Sequence, residues 1–141
     1  MNGKKILVVD DELHITQILS YKLKQSGAAV ITANDGAEGY KLACEHLPDL
    51  ILTDFQMPAM NGYELATQLA VNAATSSIPL LMLTARGHKL SPEELARTNI
   101  TGLVPKPFSA REVLSRVQDL IAASTHLKDD QGGQRPGAAV A

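Results

Sequence analysis

Five side chains that could bind or transfer a charged group stand directly after short apolar runs of the sequence. Asp10 and Asp11 follow KILVV, Asp54 follows LILT, Thr84 follows LLML, and Lys106 follows GLVP. Carboxylates that share a cleft repel one another, and their pKa values rise unless a cation lies beside them. One lysine cannot neutralise three carboxylates, whereas a hard divalent ion with oxygen ligands, such as Mg²⁺, would do so.

A magnesium site beside a lysine and a hydroxyl suits the binding of a phosphoryl group. The cations offset the charge on its oxygens, and the hydroxyl donates to one of them. A carboxylate in such a site can itself be the nucleophile and form an acyl phosphate. Taken singly, each residue also has a structural explanation, since an acid can cap a helix, a threonine can end a strand, and a lysine can be solvated. The functional interpretation therefore requires that all of them meet at one end of one sheet.

The elements that would bring them together can be predicted from the alternation of two patterns. Uninterrupted apolar runs are typical of strands that are covered on both faces of a parallel sheet. Stretches of helical periodicity lie between them, with start signals at Ser91 and Ser109 and stop signals at Gly27 and Pro48. Five strands and five helices predict a doubly wound, flavodoxin-like (βα)5 α/β sandwich with strand order 2-1-3-4-5. Ligands of such sheets bind beyond the carboxyl ends of the strands, where the polar residues stand.

Length and composition predict a single domain over residues 1–124, followed by a flexible tail or linker stub over residues 125–141, which is rich in Gly, Ala and polar residues. The net charge of −2 gives no support for general binding to nucleic acids or membranes. The one cysteine, Cys44, excludes an intramolecular disulfide. No apolar stretch reaches membrane-spanning length, and the N-terminal apolar run is too short for a signal peptide. We expect a cytoplasmic protein.

Three segments match a known family. DFQMPAMNGYEL, which starts at Asp54, combines with ILVVDDE and VPKPF in the same order and at similar spacings. Together they resemble the receiver domain of bacterial two-component response regulators, over about residues 5–123. The resemblance implies a phospho-accepting domain rather than an enzyme with a separate substrate. Its partners would be a sensor histidine kinase or histidine phosphotransfer protein and a downstream protein target, and it would be a monomer or a phosphorylation-dependent dimer.

The resemblance also implies a ligand set for Mg²⁺. Asp11, Asp54 and the backbone carbonyl of Gln56 would bind the ion directly, and Asp10 would bind it through water. Asp54 would be the phospho-acceptor that attacks the phosphorus of a phosphohistidine.

Two further residues would hold the transferred group. Thr84 would donate a hydrogen bond to one phosphoryl oxygen and Lys106 would pair with another, and the peptide bond between Lys106 and Pro107 would be cis. Many family members have an aromatic residue at the position of Leu103, so we expect the coupling from Thr84 to the face formed by the fourth helix, the fifth strand and the fifth helix to be altered. Arg86 would flank the phosphoryl group, where it is expected to be solvated.

Two alternative functions remain open at this stage. A haloacid-dehalogenase-like phosphatase would also use an aspartate and Mg²⁺, but that family has a D-x-D arrangement where this chain has Asp10, Asp11 and Glu12. A pseudo-receiver scaffold would keep the fold without phosphorylation, although all five site positions retain suitable chemistry. A DNA-binding output is not expected, because no basic recognition patch stands out and the sequence after Ser124 is too short for a helix-turn-helix domain.

Overall fold

The computed structural model describes the backbone of residues 1–85 and 89–134 and the side chains of residues 1–85 and 89–124. The strands are β1 (Lys5–Val9), β2 (Ala29–Ala33), β3 (Leu50–Asp54), β4 (Leu80–Thr84) and β5 (Ile100–Pro105). The helices are α1 (Leu13–Gln25), α2 (Gly36–His46), α3 (Gly62–Ala70), α4 (Pro92–Ala96) and α5 (Ala110–Gln134). Strands and helices alternate along the described chain, as the sequence pattern predicted. No helix in this part of the chain is both long enough and apolar enough to span a membrane.

The strands form one parallel sheet in the order β2-β1-β3-β4-β5, which confirms the predicted fold. All residues of β3 and β4 are buried, because these strands are covered on both faces and flanked on both sides. β5 lies at one edge, and its exposed Pro105 stands opposite Thr84. A proline has no N–H to donate, so an edge strand tolerates it.

The core consists of two apolar clusters, one on each face of the sheet. Successive strand residues point to opposite faces, so Ile6 and Val8 belong to one cluster while Leu7 and Val9 belong to the other. α1 and α5 pack side by side, as do α2 and α3. Because both faces are covered, a ligand can reach the sheet only at the ends of its strands, and in sheets of this kind ligands bind at the carboxyl ends.

The helix boundaries follow the predicted signals. Ser91 accepts a hydrogen bond from the N–H of Glu94, whose side chain accepts one from the N–H of Ser91. Ser109 accepts a hydrogen bond from the N–H of Glu112 at 3.0 Å. α2 ends before Leu47, which is left-handed with φ 46°, and Pro48 then prevents the helix from continuing.

α5 continues past residue 124, where the sequence predicted the start of a tail or linker stub. Helical backbone extends to Gln134. Residues 125–131 include neither Gly nor Pro, and Gly132 is the first glycine of the segment. Apolar periodicity predicts which face of a helix is buried, so its absence does not prevent helical backbone. The domain boundary at residue 124 stays a prediction.

The start of α3 is packed against the end of β3. The N–H of Gly62 donates to the carbonyl of Phe55 at 2.8 Å. A Cβ at Gly62 would collide with the carbonyl oxygen of Asp54 and lie 3.0 Å from the Cα of Phe55. These obstacles are backbone atoms, which cannot rotate away. Glycine is therefore required for the close approach of α3 to the strand end.

We expect Gly62→Ala to lower the free energy of unfolding by about 1–3 kcal/mol, because the backbone must shift to accept the methyl group. Gly36→Ala is a matched control, since Gly36 is also the first residue of a helix. A Cβ there would meet three side-chain atoms of Met60, Sδ at 2.8 Å and Cβ and Cγ at 2.9 Å. Met60 lies in the loop before α3, which can shift more readily than the paired end of β3. Urea unfolding measures both variants. An equal or larger loss in Gly36→Ala would contradict the prediction.

Candidate functional site

Three carboxylates meet at the carboxyl ends of β1 and β3. Asp10 and Asp11 follow β1, Asp54 ends β3, and the two strands are neighbours in the sheet. One carboxylate oxygen from each residue lies within 4.8 Å of the others. Asp10 is 1% exposed and Asp54 is 2% exposed, whereas Asp11 is exposed to solvent. The juxtaposition that the functional interpretation requires is therefore present for the three acids.

Asp10 combines deep burial with a carboxylate oxygen that has no partner among the described residues. Its Oδ1 accepts a hydrogen bond from the N–H of Glu12 at 2.9 Å, while its buried Oδ2 has no hydrogen-bond partner among the described residues. Burial raises the pKa of Asp10 from 3.8 to about 6; the Glu12 N–H opposes this shift and the charge of Asp54 adds to it. Oδ2 is thus an unused acceptor inside an acidic cluster.

Lys106 is the positive partner of the cluster. Its Nζ lies 2.8 Å from Oδ1 of Asp54. Burial raises the pKa of Asp54, and the hydrogen bond and charge of Lys106 offset that rise only in part. Burial by itself lowers the pKa of Lys106, but the hydrogen bond that its ammonium donates to Asp54 raises the pKa above its ordinary value. The ammonium is therefore held in its charged form beside the acids.

The backbone around Lys106 is held by β4. The N–H of Lys106 donates to the carbonyl of Thr84 at 2.7 Å, and the peptide bond between Lys106 and Pro107 is cis, as predicted. Thr84 ends β4, between β3 and β5, and is 2% exposed. Thr84 and Lys106 thus stand on the same rim of the sheet as the three acids.

The remaining predicted positions lie around this rim. Gln56 is exposed in the loop between β3 and α3. Leu103 stands opposite Met82 and packs, partly buried, against the apolar cluster that contains Leu7. Arg86 lies outside the described residues.

One contact near the site involves residues that the sequence motifs do not predict. The hydroxyl of Tyr63, the second residue of α3, donates to the backbone carbonyl of Glu94 in α4 at 3.1 Å. The two residues are 31 positions apart, and a tyrosine after the glycine of the motif reads as an ordinary helix residue. The contact can be found only from the three-dimensional structure, in which this hydrogen bond joins α3 to α4.

The sheet order and the acidic rim with its lysine define a flavodoxin-like α/β domain with an acidic pocket at the strand ends. Residues 6–118 match the family model described as "Response regulator receiver domain". The chain therefore belongs to the response regulator receiver domain family, which confirms the resemblance of its motifs.

Known proteins similar to the chain include transcriptional regulators and a chemotaxis protein. It is 40% identical over 135 residues to the alkaline phosphatase synthesis transcriptional regulatory protein PhoP of Bacillus subtilis, an alignment that covers 92% of this chain and 55% of PhoP. It is 33% identical over 121 residues to the phosphate regulon transcriptional regulatory protein PhoB of Pseudomonas aeruginosa, covering 86% and 53%. The structure of the chemotaxis response regulator CheY4 of Vibrio cholerae matches with a TM-score of 0.76 at 32% identity, covering 84% of this chain and 98% of that one. The chain thus spans about half the length of the two transcriptional regulators.

In metal-free buffer, the free energy of unfolding should fall as the pH rises from 3.8 through about 6, the range set by Asp10. Asp10 keeps its proton in the folded state over this range and loses it in the unfolded state, so the folded state binds more protons. At about 1.4 kcal/mol for each pKa unit, the loss is at most about 3 kcal/mol. Asp10→Asn should therefore be more stable than the wild type at neutral pH.

Chemical unfolding at several pH values, in the presence of a chelator, measures this effect. Asp11→Asn is the matched control, because the exposed Asp11 should change the free energy of unfolding by only about 0.5 kcal/mol. The burial of Asp54 adds a pH dependence that both variants share. If Asp10→Asn gains no stability at neutral pH, burial of Asp10 does not destabilise the metal-free fold.

Proposed function

We propose that Asp54 of this receiver domain accepts a phosphoryl group from a phosphohistidine of a sensor histidine kinase or histidine phosphotransfer protein. Phosphorylation then switches a surface that a downstream protein recognises. The observation that carries the proposal is the Asp54 carboxylate, which lies 2.8 Å from an ammonium and within 4.8 Å of two further carboxylates. The domain catalyses its own phosphorylation and dephosphorylation and has no separate substrate to turn over.

The acid cluster has the donor chemistry that Mg²⁺ prefers. Mg²⁺ takes oxygen ligands, usually one or two carboxylates, and keeps several waters. Three carboxylates supply such oxygens, and the unpartnered Oδ2 of Asp10 is an orphaned buried acceptor. Asp11, Asp54 and the backbone carbonyl of Gln56 would hold the ion directly, and Asp10 would hold it through water. When bound, Mg²⁺ would offset negative charge on the phosphoryl oxygens.

The nucleophile and the groups that hold the phosphoryl oxygens are side chains of this domain. A carboxylate oxygen of Asp54 attacks phosphorus, a new P–O bond forms, and the P–N bond of the phosphohistidine breaks with its electron pair returning to the imidazole. Lys106, which contacts Asp54 in this structure, moves its ammonium onto a phosphoryl oxygen. The Thr84 hydroxyl donates to another. Both residues are held on a rigid strand end, so they need little ordering during the reaction.

The output that we propose is binding to a protein, in the cytoplasm, by a monomer or a phosphorylation-dependent dimer. The names of PhoP and PhoB describe transcriptional regulators, of which this chain matches about half. A net charge of −2 does not favour contact with DNA phosphates by these residues. The absence of a nucleic-acid contact stays a prediction.

Labelling with acetyl phosphate, a small phosphodonor, tests the phospho-acceptor directly. With Mg²⁺, the intact mass of the wild type should rise by one phosphoryl group, and the label should be absent in Asp54→Asn and in the presence of a chelator. Asp119→Asn is the matched control, because Asp119 is an exposed acid on α5. An unlabelled wild type would favour the scaffold, and a label that persists in Asp54→Asn would place the acceptor elsewhere. Hydrolysis of a generic phosphomonoester would favour the phosphatase.

Calorimetric titration with Mg²⁺ tests the ligand set independently of phosphorylation. We expect saturable binding of one ion to the wild type and affinity that is weaker by on the order of tenfold or more in Asp11→Asn, because a ligand is lost. Asp119→Asn should bind as the wild type does. Equal affinity in Asp11→Asn and the wild type would exclude Asp11 as a ligand.

A further inference from the structure

α4 has few contacts of its own that fix its position. It has only five residues, Pro92–Ala96, and none of these described residues is buried. A helix of this length is not stable by itself in water. Its last turn is closed only by local bonds, since the carbonyls of Glu94 and Leu95 accept the N–H groups of Arg97 and Thr98. The position of α4 therefore depends on what other elements supply.

Tyr63 supplies such a contact from α3. Its hydroxyl donates to the carbonyl of Glu94 at 3.1 Å, and both residues are partly buried. The same carbonyl accepts the N–H of Arg97 at 3.3 Å, so Tyr63 adds a second donor at the point where the helix ends. The contact links α3 to α4 through a rigid aromatic ring.

The other end of this link is fixed to the strand that carries Asp54. Gly62, the residue before Tyr63, donates to the carbonyl of Phe55 and leaves no space for a Cβ against the backbone of Asp54. Leu65 is fully buried in the core on the same helix. Because Gly62 is bonded to the backbone beside Asp54 and packed against it, we expect a shift of the backbone at Asp54 to move Tyr63 as well.

The second path from the site, through β5, has no side chain suited to a large movement. Leu103 packs against the apolar cluster on its face of the sheet, and a leucine carries neither a ring nor a hydrogen-bonding group. Among the residues that the structure describes, the path through Tyr63 ends in a directional polar contact with α4, and the path through Leu103 does not.

We propose that Tyr63 is a positioning residue that couples the state of Asp54 to the position of α4. The proposal rests on the function proposed above, because the state in question is phosphorylation of Asp54. Phosphorylation changes the population of the Tyr63–Glu94 hydrogen bond, and α4 moves or loosens accordingly.

Amide hydrogen exchange of the full chain tests the link without phosphorylation. Tyr63→Phe removes only the hydroxyl, so the amide hydrogens within residues 92–98, where Pro92 has none, should exchange about threefold to tenfold faster than in the wild type. Tyr40→Phe is the matched control, because the Tyr40 hydroxyl accepts a hydrogen bond from Nδ2 of Asn72 at 2.9 Å and should leave these amides unchanged. An unchanged rate in Tyr63→Phe would overturn the proposal.

A second measurement, with Mg²⁺ and beryllofluoride as a mimic of aspartyl phosphate, tests the coupling. In the wild type and in Tyr40→Phe, exchange should change both in residues 55–61 and in residues 92–98. In Tyr63→Phe the first change should persist, while the second should be at least about threefold smaller. The coupling alone is overturned if exchange in residues 92–98 of Tyr63→Phe changes as much as in the wild type. It is also overturned if beryllofluoride changes exchange in residues 55–61 of the wild type but not in residues 92–98. A wild type with no response in residues 55–61 overturns the proposed function instead, and the first measurement still decides the link.

Discussion

The ion pair between Lys106 and Asp54 is the contact on which the carboxyl end of the sheet depends. Asp10 and Asp54 are almost completely buried, and two buried carboxylates with a third nearby are unstable without positive charge among them. Lys106 supplies one positive charge for the three carboxylates, so the rim has a shortage of positive charge. Burial raises the pKa of both acids, and this shortage of positive charge leaves the rise only partly offset. The shortage also gives the pocket an electrostatic preference for a cation.

The order of the strands determines which residue can be that partner. β5 is separated from β3 by β4, so Lys106 must reach across about 10 Å of sheet. The flexible four-carbon stem of the lysine covers part of this distance, and the side chain of Asp54 covers the rest, so that the two groups meet at 2.8 Å. The bond from its N–H to the carbonyl of Thr84 fixes the backbone from which the stem extends. The edge position of β5 also allows a proline on either side of the lysine without the loss of an inner ladder bond.

The sequence predicts the sheet and most of the rim because both follow from strong local patterns. Buried parallel strands are continuous apolar runs, and topology alone then brings Asp10, Asp54 and Lys106 to one end. Contacts between distant helices carry no such pattern, so the link from Tyr63 to Glu94 requires the structure. The continuation of α5 to Gln134 also requires the structure, because residues 125–131 lack Gly and Pro but show no apolar periodicity from which a helix could be predicted. The roles of Thr84 and Gln56 stay predictions, since they concern a group that binds later.

We expect Leu103 to alter how a signal leaves the site around Asp54. A path through β5 would require a side chain that exchanges between two arrangements, and close-packed apolar clusters resist such exchange unless a cavity is available. Leu103 is part of such a cluster. A hydrogen bond at the edge of a short, exposed helix is different, because it can form and break at little cost to the core. A leucine where many family members have an aromatic residue would therefore favour the proposed path through the loop after Asp54 and α3. α4, which is held weakly by its own residues, is the element that such a path can move.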